Sequence, residues 1–132
     1  MLKSLEIHST KAQEILDITQ KIKAILDESK IENGVCLVYC PHTTAAITIN
    51  ECADPDVKYD ILKELNKIVP LEDNYKHVEG NSAAHIKSSL IGASKNLIIE
   101  NGKLVLGTWQ GILFCEFDGP RKRKIFVKIK NG

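Results

Sequence analysis

The last forty residues constrain the fold most, because they consist of short apolar runs separated by strong turn signals. An Asn-Gly pair between apolar runs is the strongest short-range signal for a β-hairpin. Asn101-Gly102 separates the first two runs and Asp118-Gly119-Pro120 separates the last two. The pattern predicts four strands, at Asn96–Ile99, Lys103–Leu106, Ile112–Phe117 and Ile125–Ile129.

Helical spacing dominates the earlier part of the chain. Apolar residues from Ile15 to Leu26 recur at intervals of three and four, and Thr10 with Gln13 resembles a capping box. These features predict a helix over about Lys11–Ser29. Asp54-Pro55 predicts the start of a second helix, which should end before Pro70. A third, short helix is expected at Ser82–Leu90, after an irregular polar segment.

Three more strands are expected, at Leu2–His8, Val35–Tyr39 and Ala45–Asn50. Strands that cluster at one end of the chain favour an α+β fold with largely antiparallel sheet, and 132 residues suit a single domain over 1–132. The balance of 18 basic and 17 acidic residues gives no reason to expect a nucleic-acid or membrane partner. The chain begins without a signal-peptide pattern, so we expect a cytoplasmic protein whose four cysteines are reduced.

Three of the four histidines lie in polar, small-residue contexts that suit a site. His42 follows Pro41 where a strand ends, His77 lies in the irregular segment, and His85 lies in the short helix. Imidazoles from a loop and the following helix can converge on a divalent metal. The alternative for each is a hydrogen-bonded or surface histidine.

Other polar residues offer catalytic or phosphate-binding groups. Glu51 and Glu116 adjoin or interrupt apolar strands, where a carboxylate is costly unless it is paired or ligated. Thr43, Asn81 and Ser82 offer groups that bind phosphate or sugar, and a helix start favours an anion.

Two further segments have open alternatives. Trp109, between Gly107 and Gly111, is expected either to stack on a ligand ring or to lie in the core. The basic run Arg121–Lys124 is expected either to be a solvated turn or to receive a phosphate.

These motifs occur in an order that closely resembles the YjbQ-like family, also called the secondary thiamine-phosphate synthase family. The resemblance extends from about Leu5 to Ile129. It is carried by Pro41-His42-Thr43-Thr44, Asn50-Glu51, Ala53-Asp54-Pro55-Asp56, His77, Glu79-Gly80-Asn81, Ala84-His85 and Leu106-Gly107-Thr108-Trp109-Gln110-Gly111. The segment between His77 and His85 is short for the family.

The resemblance implies a two-sheet α+β domain that assembles as a homotrimer, with a site near the subunit boundary. It implies His42, His77 and His85 as ligands of a divalent metal of the zinc type. The implied activity joins hydroxymethylpyrimidine pyrophosphate to thiazole phosphate and releases pyrophosphate.

In that reaction, residues from several segments have expected roles. His42, Thr43 and Glu51 would be catalytic, with Glu51 a proton acceptor or a partner of a ligand. The substrate phosphates and rings would contact Asn81, Ser82, Trp109, Gln110 and Arg121. Two alternatives stay open: a metal-dependent hydrolase of a small phosphorylated metabolite with Glu51 as general base, and a non-catalytic metabolite-binding module.

Overall fold

Eight strands and three helices make up the fold in a computed structural model that describes all 132 residues. The helices are α1 (Thr19–Ser29), α2 (Pro55–Ile68) and α3 (Ser82–Ile91). The strands are β1 (Leu2–His8), β2 (Glu14–Asp17), β3 (Gly34–Tyr39), β4 (Ala45–Glu51), β5 (Ser94–Glu100), β6 (Lys103–Leu104), β7 (Gln110–Glu116) and β8 (Lys122–Asn131).

The strands form two antiparallel sheets, which confirms the predicted α+β class. Sheet A has the order β1-β8-β3-β5-β6, and sheet B has the order β2-β7-β4. A cluster of 17 buried apolar residues, which includes Val38, Ile47 and Phe114, draws members from both sheets and from α1. A second cluster lies between the other face of sheet B and the helices α2 and α3, and includes Leu65, Ala84 and Leu113. The layers are therefore sheet A, sheet B and a pair of helices.

The predicted helix over Lys11–Ser29 is wrong in its first part. Residues Glu14–Asp17 form β2, and the helix begins only at Thr19. Ile15 pairs with Cys115 within sheet B and is buried in the second cluster, so the ladder to β7 replaces the helical turn that the apolar spacing predicted. Asp17 ends β2, and its carboxylate accepts a hydrogen bond at 2.9 Å from the amide of Thr19, the first residue of the helix.

Most of the other predicted elements are confirmed, with shifted ends. Asp54 caps α2, since its side chain accepts a hydrogen bond from the Asp56 amide at 2.9 Å. Asn101 and Gly102 both have positive φ, as a two-residue hairpin turn between β5 and β6 requires. The predicted strand Lys103–Leu106 is shorter, since β6 ends at Leu104. None of the helices has the length and apolar content needed to cross a membrane.

Candidate site at the start of α3

Helix α3 begins with backbone donors that the protein does not cap. Asn81 stands at the cap position but makes no side-chain cap, and the first turn contains no acidic residue. The positive end of the helix dipole is therefore left uncompensated by any side chain of α3. A negatively charged group is the ligand that such an end favours.

Two buried oxygens at this helix start also lack hydrogen-bond partners. They are Asn81 Oδ1 and the hydroxyl of Ser82, a residue that is only 8% exposed. An unpartnered buried polar group is costly, and in native structures it often marks a ligand or water position. The Ser82 hydroxyl can donate to an anion oxygen, which is the donor type that a phosphate needs.

His77 and His85 lie side by side next to this helix start. Their ring centroids are 5.2 Å apart, and the ring planes meet at 74°. Two imidazoles that share a tetrahedral ion, with Zn–N bonds of about 2.0–2.1 Å, have ring centroids about 5 Å apart. The His77–His85 pair therefore fits two positions in the coordination sphere of a zinc-type ion. Glu79 Oε2 lies 4.0 Å from His77 Nε2.

Two open clefts meet at these residues. One, of about 340 Å³, is lined by Tyr75, Lys76, His77, Ser82, His85 and Ile86. The other, of about 240 Å³, is bounded by the segment Leu71–Tyr75 together with His77, Gly80 and Ser82. His77 and Ser82 thus face both clefts, and each cleft is large enough for a small polar metabolite.

The turn after β7 positions the start of α3. Asp118 accepts hydrogen bonds from Asn81 Nδ2 at 2.8 Å and from Arg121 Nη2 at 3.2 Å. The carboxylate orients the Asn81 amide so that its free oxygen faces away from the turn. It also holds one end of the Arg121 guanidinium close to the helix start, while half of that side chain stays exposed.

A buried ion pair between Glu116 and Arg123 lies next to this turn and stabilises it. Glu116 is fully buried, and Arg123 Nε donates a hydrogen bond to its carboxylate at 2.9 Å, with a second bond from Nη2. The Ser9 hydroxyl donates at 2.7 Å and the Asp118 amide at 3.0 Å. Burial would raise the pKa of Glu116, but the hydrogen bonds from Arg123, Ser9 and Asp118 outweigh it and hold that pKa below its usual value.

This pairing bears on two expectations from the sequence. A carboxylate at Glu116 is expected to be costly unless it is paired or ligated, and Arg123 is its partner. The basic run Arg121–Lys124 is not solvated throughout, since Arg123 is 3% exposed and points inward. Arg121, Lys122 and Lys124 remain on the surface.

His42 does not join the His77–His85 pair in a metal-binding group. Its Nε2 lies 3.0 Å from both the amide nitrogen and the carbonyl oxygen of Lys124. Extending the register of β3 and β8 by two residues beyond Tyr39–Phe126 places Pro41 opposite Lys124. Proline has no N–H, and the His42 ring contacts Lys124 in its place: Nε2 donates to the carbonyl in one tautomer or accepts from the amide in the other.

The surroundings of His42 favour its neutral form. Burial, and then the Arg123 guanidinium, lower its pKa. When Nε2–H donates to the Lys124 carbonyl, Nδ1 keeps a lone pair for a ligand or a proton. No group of three or more His, Cys, Asp or Glu side chains is arranged in this chain to hold a metal ion. The predicted three-histidine centre is therefore not assembled within one chain. Thr43 adjoins His42 on the exposed surface.

The remaining predicted site residues lie at the opposite end of sheet B. Glu51 and Gln110 are register partners at the far end of β4 and β7, and Trp109 precedes Gln110. Trp109 is 63% exposed, so it is not a core residue. Glu51 Oε2 accepts a hydrogen bond from the Asp54 amide at 3.1 Å. Gly111 gives clearance to Cys52, because a Cβ on Gly111 would lie 2.6 Å from that of Cys52.

Sequence reasoning missed two buried polar residues near the site. The sequence analysis treats Arg123 only as part of a basic run, whereas the alternation of β8, which places Arg123 on the inner face, is the signal that predicts its burial. Lys87 is 2% exposed on α3 and donates hydrogen bonds to the side chains of Asn66 and Gln13. No sequence signal predicted its burial, because a lysine in a helix is ordinarily exposed.

Together these features define a class of protein: a two-sheet α+β domain with two adjacent histidines and an uncapped helix start beside open clefts. The chain belongs to the family described as UPF0047 protein YjbQ-like, whose model matches residues 3–132.

Relatives and solved structures agree with this assignment. UPF0047 protein YugU of Bacillus subtilis is 57% identical over 130 residues, covering 98% of both chains. UPF0047 protein MJ1081 of Methanocaldococcus jannaschii is 54% identical and covers 98% of this chain and 94% of that protein. A crystal structure of a yjbq/upf0047 protein from Clostridium acetobutylicum has a TM-score of 0.95 at 58% identity, covering 97% and 99% of the two chains. A YbjQ-like protein from Sulfolobus solfataricus has a TM-score of 0.96 at 34% identity, covering 100% and 97%.

Proposed function

We propose that the start of α3 binds the phosphate of a small metabolite and that the adjacent imidazoles hold a zinc-type metal ion beside it. The observation that carries this proposal is the coincidence of three features: an uncapped helix start, the unpartnered buried hydroxyl of Ser82, and the His77–His85 pair at 5.2 Å. An anion and a cation would then lie next to each other, as metal-assisted phosphate chemistry requires.

The residues of this chain divide the work on a phosphorylated ligand. The Ser82 hydroxyl and the free amides of the first turn of α3 would donate hydrogen bonds to phosphate oxygens. Arg121 can reach a phosphate with the part of its guanidinium that Asp118 leaves free. His77 and His85 would hold the ion, which when bound neutralises the charge that develops on a departing pyrophosphate.

Within this class, we propose the reaction that the family resemblance implies, which is thiamine-phosphate synthesis from the pyrimidine pyrophosphate and the thiazole phosphate. The resemblance assigns ring stacking to Trp109 and proton transfer to Glu51, although within one chain both lie at the opposite end of sheet B from the start of α3. A hydrolase of a phosphorylated metabolite, with Glu51 as general base, and a binding module without turnover are the alternatives. The open clefts at Ser82 suit all three.

We also propose a homotrimer in the cytoplasm. The outer face of sheet A supports self-association, because it exposes Leu2 by 60%, Ile98 by 63% and Tyr39 by 43%. A groove of about 350 Å³ on this face is lined by Leu2, Leu37, Tyr39, Phe126 and Lys128. Apolar residues clustered on one sheet face are typical of a protein–protein interface.

The test compares Ser82→Ala with the matched control Ser89→Ala, since Ser89 lies on the exposed face of the same helix. Calorimetric titration with inorganic pyrophosphate in the presence of zinc should show at least tenfold weaker binding for Ser82→Ala and unchanged binding for Ser89→Ala. Thermal stability of Ser82→Ala should not fall, because the deleted hydroxyl has no partner. Equal pyrophosphate affinity in wild type and Ser82→Ala contradicts the proposed site.

Incubation with both thiamine precursors then separates the alternatives. Formation of thiamine phosphate supports the synthase. Zinc-dependent release of inorganic phosphate from the precursors, without coupling, supports the hydrolase. Saturable pyrophosphate binding without either product supports the binding module.

A further inference from the structure

A buried lysine on α3 has no carboxylate partner. Lys87 is 2% exposed and takes part in none of the ion pairs of the chain. Its Nζ instead donates hydrogen bonds to Oε1 of Gln13, at 3.5 Å, and to Oδ1 of Asn66. The centroid of the Phe117 ring lies 6.0 Å from the same nitrogen. A lysine buried among neutral groups is unusual, because a buried cation is ordinarily paired with an anion.

The two hydrogen bonds from Lys87 determine which end of each amide stays free. The oxygens of Gln13 and Asn66 face the lysine, so the remaining polar group of each side chain is its NH₂ group. Neither amide nitrogen donates a hydrogen bond to another group of the chain, whereas Nδ2 of Asn81 donates to Asp118. Two free donor groups therefore lie next to a buried basic side chain.

Both amides line one open cleft between helix α2 and the residues that precede β2. The volume of this cleft is about 420 Å³, compared with about 340 and 240 Å³ for the two clefts at the start of α3. Its other lining residues are Ala12, Tyr59, Leu62 and Lys63. None of the residues that line it belongs to either of the clefts at the start of α3.

The charge of this cleft favours an anion. No acidic residue lines it, and the exposed Lys63 lies at its edge. The carboxylates that adjoin its residues in sequence have other partners: Glu14 accepts a hydrogen bond from the Thr10 amide at 2.6 Å, and Glu64 pairs with Lys67 at 3.1 Å. A ligand carboxylate could therefore take the free amide donors without meeting a competing acid.

Apolar and aromatic side chains provide the rest of the cleft. Tyr59 is 66% exposed, and its ring is available for stacking on a planar group. The half-buried Leu62 and the methyl group of Ala12 add aliphatic surface. Small-molecule sites typically combine such surface with a few polar groups that fix the orientation of the ligand.

We propose that this cleft binds a small aromatic carboxylate, whose oxygens accept hydrogen bonds from Nδ2 of Asn66 and Nε2 of Gln13 and whose ring packs on Tyr59 and Leu62. Lys87 lies behind the two amides and holds their oxygens. The inference is independent of the proposed function, because it uses no residue of the start of α3 that binds phosphate or metal there.

Titration of isotope-labelled protein with sodium benzoate, followed in proton–nitrogen correlation spectra, tests this site. The side-chain amide signals of Gln13 and Asn66 should shift saturably, while those of Asn81 should stay in place. Benzyl alcohol keeps the ring but lacks the carboxylate, so its affinity should be lower by about tenfold or more. Sodium chloride at the same ionic strength should leave both amide signals unshifted.

Asn66→Asp is the variant that separates binding from folding. Its carboxylate can still accept the hydrogen bond from Lys87, so the fold should be retained, but an oxygen replaces the free NH₂ group and its negative charge repels the ligand. Benzoate affinity should fall by about tenfold or more. Asn96→Asp makes the same change of charge at an exposed position of β5, and it should bind benzoate as the wild type does.

Equal benzoate affinity in the wild type and Asn66→Asp overturns the inference, and so does the absence of saturable shifts in the wild type. Ser82→Ala should bind benzoate unchanged. If Ser82→Ala loses benzoate binding, the carboxylate binds at the start of α3 instead, and the inference is again overturned. Because pyrophosphate does not enter this experiment, failure of benzoate binding leaves the proposed function standing, and failure of pyrophosphate binding leaves this inference standing.

Discussion

Replacing Arg123 with methionine should destabilise the fold strongly, because it leaves the Glu116 carboxylate without its cation. Arg123 and Glu116 are 3% and 0% exposed, and the guanidinium also donates to the Thr44 hydroxyl. Removing one partner of a buried pair costs about 3–5 kcal/mol. For a domain of this size, that loss corresponds to a fall in Tm of roughly 10–20 °C.

The pH dependence of this loss identifies its cause. The pKa of Glu116 is depressed in the folded protein, so the pair's contribution is present above the unfolded value near 4.5 and is lost as the pH falls through the folded pKa. In Arg123→Met, burial without the cation raises the pKa of Glu116 instead. The difference in free energy of unfolding between wild type and Arg123→Met should therefore be largest at neutral pH and should become smaller as the pH falls towards 4.5.

Urea unfolding followed by circular dichroism, at several pH values, measures the difference. Lys124→Met is the matched control, since Lys124 is exposed, and it should change the free energy of unfolding by no more than about 0.5 kcal/mol. The double variant Glu116→Gln with Arg123→Met should recover part of the loss, because no buried charge remains. A loss below about 1 kcal/mol for Arg123→Met, or one that is independent of pH, refutes the reasoning.

Three further predictions concern the site and its supporting helices. His85→Ala should lower the zinc content of the purified protein, measured by elemental analysis, while His8→Ala should not, since the exposed His8 ring pairs with Glu6 on the surface. Equal zinc in both variants would exclude His85 as a ligand. Asp54→Ala should reduce the free energy of unfolding by about 1 kcal/mol through the loss of its cap, as chemical denaturation would show, and an unchanged value would refute the cap. Burial lowers the pKa of Lys87 in the folded protein, so between that lowered pKa and 10.5 unfolding takes up a proton and the free energy of unfolding of the wild type should rise with pH. This rise should vanish in Lys87→Met. Identical pH profiles of the free energy of unfolding for wild type and variant would contradict the prediction.

Local patterns were enough for most of the fold. The Asn101-Gly102 turn, the Asp54-Pro55 helix start and the alternation of the last strands depend on neighbours in sequence, so the chain predicts them directly. The segment Glu14–Asp17 was misassigned because its apolar residues satisfy helical spacing as well as strand pairing. Only the presence of β7 beside it, which is a long-range contact, decides between the two.

The site was predictable in its parts but not in its geometry. Sequence alone placed His77, Asn81, Ser82 and His85 near one helix start, because they lie within nine residues of one another. It could not show that His42 replaces a missing strand contact, since that role depends on Lys124, far along the chain. The separation of Glu51 from the histidines likewise depends on the register of β4 and β7.

The most direct measurement of the central claim is a crystal structure of the zinc-incubated protein, with diffraction data collected on both sides of the zinc absorption edge. The account predicts an anomalous peak about 2 Å from a ring nitrogen of both His77 and His85, next to the start of α3. A map without a peak between these two rings, or with zinc bound only at unrelated surface residues, would contradict it.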